Sequence, residues 1–482
     1  MNMNNQSKQV VVVGGGVLGL SICHELAKTG VEIKHVFPRA GDIETASGAA
    51  GAMLGAFGEV TRDDGPEEIK ELEFRLAAQR MYPEWLSEIK SATGQDIFQG
   101  MGTYIAANLD GVRDRDSINR MKAEADRLGE PASWVEPNEV PGLNPSPNHA
   151  AVKCLHLPNE HSVDSHQLLN ALNDANARNA NYQYIDDSVL SVMPNGDNWK
   201  VVTNKDIEIV VDQVIIAAGS RTNTVLPEEI VKEAGIPDIY FGKGISALVS
   251  CGPTIPQTIR TPNRAFACGI HAVPRGNKDL LYIGATNFMG NDHDKERGMQ
   301  PGELHALFDD LIHQINTDIR VSRIEEFRIG YRPIASHRKP VIGSTKLNGL
   351  FIATGTYRNG VLMAPLISKI IVQELGLADT QFDNPFPVIP VDENHYEQKF
   401  GDLSSVGIRD IVSFLQEPRG SLPYNRAEQL EIYMRTLFEM SVFENTKHDV
   451  LRERIRHRLK STPFNETMHQ LFYEIIESVD AE

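Results

Sequence analysis

The sequence predicts an α/β protein: a doubly wound, mostly parallel sheet, a β-rich α+β part interleaved with it, and an all-α extension at the C-terminus. Three observations predict this. Four consecutive valines, Val10 to Val13, run through a glycine turn straight into a helical pattern, and a second strand, glycine turn and helix follows from Leu350 to Leu375. Between them, Tyr240 to Asn287 is rich in short strand patterns, and beyond Pro390 apolar residues recur at helical spacing.

The opening element carries the most information. Four β-branched residues in a row suit a strand buried on both faces, and Val17, Leu20, Cys23 and Leu26 then fall on one helical face. Gly14, Gly16 and Gly19 fit G-x-G-x-x-G. The first permits the tight turn, the second lets a pyrophosphate approach the backbone, and the third lets helix and strand pack closely. A pyrophosphate there would meet the free N–H groups of the helix N-terminus. The motif should close its second strand with an acid that holds the ribose hydroxyls. Here that strand ends Val36-Phe37-Pro38-Arg39, with no carboxylate. Other groups hold the ribose, or the adenine end is loose, or Arg39 meets a phosphate.

A chain of 482 residues is expected to make two or three domains. Its net charge of −18 disfavours nucleic acid and anionic membrane surfaces as partners. Cys23, Cys154, Cys251 and Cys268 include no C-x-x-C pair and read as reduced core residues. Residues 1–8 carry no apolar leader core, and no later run is long enough to span a bilayer, so a cytoplasmic protein is expected. The fifteen histidines form no H-E-x-x-H motif or tight cluster, and no metal site is expected.

Taken in order, Glu44 to Leu54 is a run of small residues suited to lying against a flat ligand. Helices are predicted over 67–89, 114–128, 167–178, 302–316 and 361–375. Strands are predicted over 102–107, 188–192, 199–203, 212–220, 245–250, 280–286 and 350–354, and 137–147 is a proline-broken loop. The turn Gly355 to Gly360 offers a second helix N-terminus able to stabilise negative charge.

Five stretches come in an order that resembles the D-amino-acid oxidase family of flavoproteins: Gly14 to Gly19, the small-residue run to Leu54, Val214 to Gly219, Gly330-Tyr331-Arg332-Pro333, and Gly355 to Pro365. The phrase Tyr357-Arg358-Asn359-Gly360-Val361-Leu362-Met363-Ala364-Pro365 is most similar to the glycine oxidase branch, and the likeness covers about four-fifths of the chain. It implies a Rossmann-like FAD-binding domain (residues 8–62, 160–230 and 325–378) and a substrate domain (63–159 and 231–324). It also implies FAD held noncovalently, since no cysteine follows Arg332-Pro333 where sarcosine oxidases attach flavin. The implied FAD contacts are Gly14, Gly16, Val17, Leu18 and Gly19; Ser47, Ala50, Gly51 and Met53; Val189, Ala218 and Gly219; Gly330; and Arg358, Asn359, Gly360, Val361 and Leu362.

The activity implied is oxidation of a small amino acid or N-substituted glycine by hydride transfer to flavin. Arg332 is the expected carboxylate clamp, because guanidinium and carboxylate match in a bidentate pair. Arg358 is a second substrate-site arginine, and His271 stands where glycine oxidases carry a tyrosine before a Pro-Arg pair. The other readings are a 2-hydroxy acid dehydrogenase, with His271 as base, and a flavin-bearing subunit of a larger complex. Residues 379–394 read as a linker and 395–482 as a helical extension for a homo-oligomer or protein partner.

Overall fold

The computed structural model describes residues 9–39, 45–61, 64–108, 112–263, 269–277, 279–290, 292–294, 297–379 and 381–389. The helical extension proposed for 395–482 lies outside the described residues.

The four valines lie in the strand Gln9–Val13, inside a six-stranded sheet ordered Val341–Ser344, Leu350–Thr354, Gln213–Ile216, Gln9–Val13, Glu32–Phe37, Tyr182–Asp186. Every pairing is parallel except the one that adds Val341–Ser344. Val10 and Val12 enter one core with the helices Val17–Leu26, Ser165–Ala177 and Gly360–Glu374. Val11 and Val13 enter a second core, under an antiparallel sheet of Val189–Asn195, Asn198–Thr203 and Glu208–Val211. Burial on both faces is why the strand shows no polar alternation.

The second body is a nine-stranded sheet built on Ile239–Ser250, which pairs antiparallel with Leu280–Gly284 and, along its whole length, with Arg323–Ala335. The latter strand carries Gly330 and Arg332. Its glycine is required by packing: a Cβ on Gly330 would lie 2.8 Å from that of Ala49 in the small-residue run.

Three sequence expectations change. The helix Pro66–Thr93, allotted to the substrate domain, packs on both bodies: Phe74, Ala78, Tyr82, Trp85 and Ile89 enter the core of the parallel sheet, while Leu72 and Leu76 pack with Ile105 and Leu155 of the nine-stranded sheet. The described part of the linker is docked: Phe386 is buried edge-on against Phe74, and Asn384 donates to the Ile342 carbonyl at 2.9 Å. The helix before the linker ends at Glu374, ahead of a left-handed Gly376, and the prolines that follow do not free the chain. Cys251 is exposed in a left-handed turn, unlike buried Cys23 and Cys154, while Cys268 lies outside the described residues.

Lys243 and Glu303 form an ion pair with both side chains at 1% exposure or less. Glu303 also accepts the Gln300 N–H at 2.7 Å, capping the helix Pro301–Gln314. Removing one partner leaves a buried charge, which costs about 3–5 kcal/mol. Glu303→Leu is therefore expected to lower the urea midpoint sharply, with Lys243→Met/Glu303→Leu recovering much of the loss. A double variant no better than the single would show that the cap, not the stranded ammonium, sets the cost.

Candidate active site

The glycine turn is built as its spacing requires. Gly14 has φ +116°, and a Cβ there would fall 2.3 Å from the Ala217 carbonyl oxygen. One on Gly19 would fall 1.8 Å from the Gly14 oxygen, so Gly19 serves the packing of helix on strand. A Cβ on Gly16 would meet only Ser47 Oγ, at 3.3 Å, and would project into open space. Ser47 Oγ accepts the Val17 N–H at 3.0 Å, at the helix N-terminus. Beneath the turn, His35 spans from the Gly14 oxygen (Nε2, 2.9 Å) to the Tyr182 hydroxyl (Nδ1, 2.9 Å). Burial pulls its pKa down to about 4, so the ring is neutral. The carbonyl can only accept, which puts the proton on Nε2 and leaves Nδ1 to accept from the tyrosine.

Where the ribose acid is missing, the Phe37 ring lies over Gly15, whose Cβ would fall 2.1 Å from it. Arg39 pairs with Asp186 (Nε to Oδ2, 2.7 Å), on the strand beside Phe37, and Asp186 also accepts the Arg39 N–H and the Tyr184 hydroxyl. Arg39 is thus held at the cavity wall by Asp186.

The small-residue run is gripped by its carbonyls. The Gly48 oxygen is bonded by His166 Nε2 at 3.0 Å, and that of Ala49 by the Tyr282 hydroxyl at 2.8 Å and Ser246 Oγ at 3.2 Å. Arg275, buried over the Tyr282 ring, reaches the Ala50 and Gly51 oxygens at 3.4–3.5 Å. Burial lowers its pKa to about 10, which still leaves it charged.

Beyond this loop is a chamber rich in arginine. Arg332 Nη1 donates to the Thr286 oxygen and to Asn287 Oδ1, both at 3.0 Å, and no carboxylate among the described residues pairs with it. Gly244 makes the room, since a Cβ there would fall 2.2 Å from Arg332 Nη2. Arg358 lies over the Tyr357 ring, 3.6 Å from Glu59. The Glu59 carboxylate meets Arg260 at 3.0 Å and accepts from Asn263 Nδ2 at 2.8 Å. Burial would raise its pKa, but Arg260, Arg358 and Arg75 together outweigh burial and hold it at about 2. His271 donates from Nδ1 to the Gly269 oxygen at 2.9 Å and stacks on Tyr282. Burial lowers its pKa to about 3, with Arg260 and Arg332 adding to the effect, so the ring is neutral and Nε2 keeps a lone pair.

Behind Arg260, Glu160 is buried, accepting the Phe57 and Gly58 N–H groups through Oε1. Burial raises its pKa from 4.5 to about 7, against the pull of those bonds and of Arg260. An acid with a raised folded pKa stabilises the fold most below pH 4.5 and loses that stability as pH climbs to about 7. The loss is up to about 3 kcal/mol at ~1.36 kcal/mol per unit. Glu160→Gln keeps the acceptor but cannot ionise. Its melting temperature relative to the native chain is expected to rise by several degrees between pH 5 and pH 8, and parallel melting profiles would refute a proton on Glu160.

One continuous cavity of about 1300 Å³ joins glycine turn, gripped loop and arginine chamber. Its walls include Gly14, Gly16, Val17, Leu18, Ser47, Ala50, Gly51, Met53, Val189, Ala218, Gly219, His271, Gly330, Arg332, Arg358, Asn359, Gly360 and Val361. Gly19 and Leu362 are buried behind the wall. Glu59, Arg260, Asn263 and Tyr282 also line it, and sequence reading missed them. Arg260 and Tyr282 lie on strands of the antiparallel sheet and Asn263 just beyond one, Glu59 ends the short helix Phe57–Glu59 about two hundred residues earlier, and none belongs to a motif. Among the described residues no cluster of His, Cys, Asp or Glu could hold a metal ion, and no helix is long and apolar enough to cross a membrane.

A glycine turn at a helix N-terminus, opening into a chamber lined by arginines, defines a nucleotide-binding protein with room for a small anion beside the nucleotide. More narrowly, the chain belongs to the FAD dependent oxidoreductase family, whose model matches residues 9–374. It is 26% identical over 379 residues to glycine oxidase of Geobacillus kaustophilus, covering 78% of this chain and 94% of that protein. It is 26% identical over 373 residues to the bifunctional protein ThiO/ThiG of Trichormus variabilis, where 76% of this chain spans only 52% of the relative. The crystal structure of glycine oxidase from Geobacillus kaustophilus superposes with a TM-score of 0.68 at 25% identity, covering 80% of this chain and 100% of that one.

FAD fits this cavity. The open face of Gly16 and the N-terminus of the helix Val17–Leu26 suit a pyrophosphate. The helix Gly360–Glu374 starts at the wall with no side chain capping it, so its first N–H groups are available to the cofactor.

Proposed function

We propose that the chain oxidises a small amino acid or N-substituted glycine, with noncovalent FAD as the acceptor of a hydride from the carbon bearing the nitrogen. The supporting observation is Arg332, held by two neutral acceptors and matched by no carboxylate among the described residues. It clamps the substrate carboxylate, and Gly244 fixes where the guanidinium stands. Neutral His271 presents the Nε2 lone pair to the chamber, where it accepts a hydrogen bond from the substrate nitrogen and orients it while the neighbouring carbon gives up hydride. Arg358, tied to Glu59, lies beside the turn before the helix Gly360–Glu374. The N-terminus of that helix stabilises negative charge on the reduced cofactor.

The remaining cavity-wall residues named from sequence, from Gly14 to Val361, form the FAD seat in this reading, with Gly19 and Leu362 supporting it from behind. The nucleotide part keeps residues 8–62, 160–230 and 325–378 and shares the helix Pro66–Thr93 with the substrate part. A cytoplasmic location, and a partner or oligomer contact through 395–482, belong to the same reading. The test is anaerobic addition of amino acids, N-methylated glycines and 2-hydroxy acids to the yellow protein. Bleaching by amino acids or N-methylglycines is expected; bleaching by hydroxy acids alone would overturn it.

A further inference from the structure

We infer that Glu59 is a specificity-determining residue: its carboxylate occupies the place a second substrate acid would take, and so restricts the chamber to monocarboxylates. The inference rests on the reading of Arg332 as the carboxylate clamp.

Three guanidinium groups line this end of the cavity, from Arg260, Arg332 and Arg358. Without Glu59 they would make a strong site for a diacid, with one carboxylate on Arg332 and the other between Arg260 and Arg358. Glu59 fills that second position. One oxygen takes Arg260 Nη1 at 3.0 Å and the other takes Asn263 Nδ2 at 2.8 Å, with Arg358 Nη1 at 3.6 Å. The pair is internal: the Glu59 side chain is 13% exposed and that of Arg260 3%. The carboxylate nevertheless remains part of the cavity wall. His271, Arg260, Arg332 and Glu59 all line the same cavity.

Two consequences follow. A monocarboxylate meets one unmatched cation and leaves the Glu59 network intact. A substrate with a second carboxylate brings it against a fixed anion whose donors are already engaged. At about 5–6 Å and an effective dielectric near 20, like charges repel by roughly 3 kcal/mol, about a hundredfold in affinity. The selectivity is therefore built into the chain: an internal acid imitates the distal carboxylate of the ligand it rejects.

The test uses the FAD-loaded protein and ligands that cannot be oxidised. Methoxyacetate and oxydiacetate are ethers matching N-methylglycine and iminodiacetate in shape, and their binding is read from the shift of the flavin absorbance. The native protein is expected to bind methoxyacetate at least ten times more tightly than oxydiacetate. Glu59→Gln keeps an acceptor for Arg260 but removes the charge, and is expected to shift that ratio toward the diacid by about ten- to a hundredfold. Native preference for oxydiacetate overturns the inference, as does a Glu59→Gln variant that retains its FAD and an unchanged ratio. Should the variant not fold, the native ratio alone decides. If Arg332→Lys leaves methoxyacetate binding unaltered, the clamp reading fails as well; a failed ratio with a working clamp removes Glu59 alone.

Discussion

Arg332→Lys is expected to keep its FAD and to lose between thirty- and several-thousand-fold in the second-order rate of flavin reduction by the best substrate. The lysine keeps the charge but gives up the planar fork, and so the bidentate match to a carboxylate. Losing a desolvated, charge-assisted contact of this kind costs ~2–5 kcal/mol, and ~1.4 kcal/mol is a decade in rate. The site gives the shorter side chain no help. Thr286 O and Asn287 Oδ1 both accept from Nη1, and the space opened by Gly244 is shaped to the guanidinium. Stopped-flow reduction under anaerobic conditions checks it. Arg275→Lys is the comparison, because Arg275 reaches loop carbonyls and is absent from the cavity wall. A native reduction rate in Arg332→Lys would make Arg332 structural and move the clamp to Arg358.

Gly16→Val is expected to give folded, colourless protein. Gly16 has φ −74° and ψ 178°, a conformation open to any residue, and a Cβ there meets nothing closer than Ser47 Oγ at 3.3 Å. The fold therefore tolerates the change while the isopropyl group fills the approach to the helix N-terminus. Gly14→Val is a different lesion. At φ +116°, with the Ala217 oxygen 2.3 Å from the added Cβ, it should fail to accumulate as folded protein. Absorbance at the flavin band, read beside circular dichroism, separates the two. Full flavin occupancy in folded Gly16→Val would move the pyrophosphate elsewhere.

The doubly wound sheet was legible because its signals are local. Val10 to Val13 fix the buried strand, and Gly19 is needed for a contact five residues back, with the Gly14 oxygen, whereas the Ala217 oxygen that excludes a side chain at Gly14 comes from a distant strand end. The strand Tyr182–Asp186 went unread: only five residues long at the sheet edge, it is partly exposed on every residue and has little apolar pattern to show. The chamber was half legible. Arg332 and Arg358 sit in motifs, whereas Glu59 and Arg260 are 201 positions apart in the chain and meet only through the sheet. His35 read as one more strand residue, and its bond to the Gly14 oxygen needs three dimensions. Helix Pro66–Thr93 was found, but an amphipathic pattern says that a face is buried and not against what: Phe74, Tyr82 and Ile89 enter the core of the parallel sheet, and Leu72 and Leu76 a core shared with the antiparallel one.

The carbonyl grip on residues 48–51 has a thermodynamic consequence. The donors come from both bodies: His166 from the helix Ser165–Ala177, and Ser246, Arg275 and Tyr282 from the antiparallel sheet and the turn that follows it. The loop is thus a shared wall, with the dinucleotide seat and the arginine chamber both in contact with it. Two ligands that press on one wall are coupled, and coupling free energy is reciprocal. Whatever factor bound FAD contributes to the affinity for a carboxylate, the carboxylate returns to FAD, so a saturating acid tightens the equilibrium binding of the cofactor by as much as its own binding depends on that cofactor.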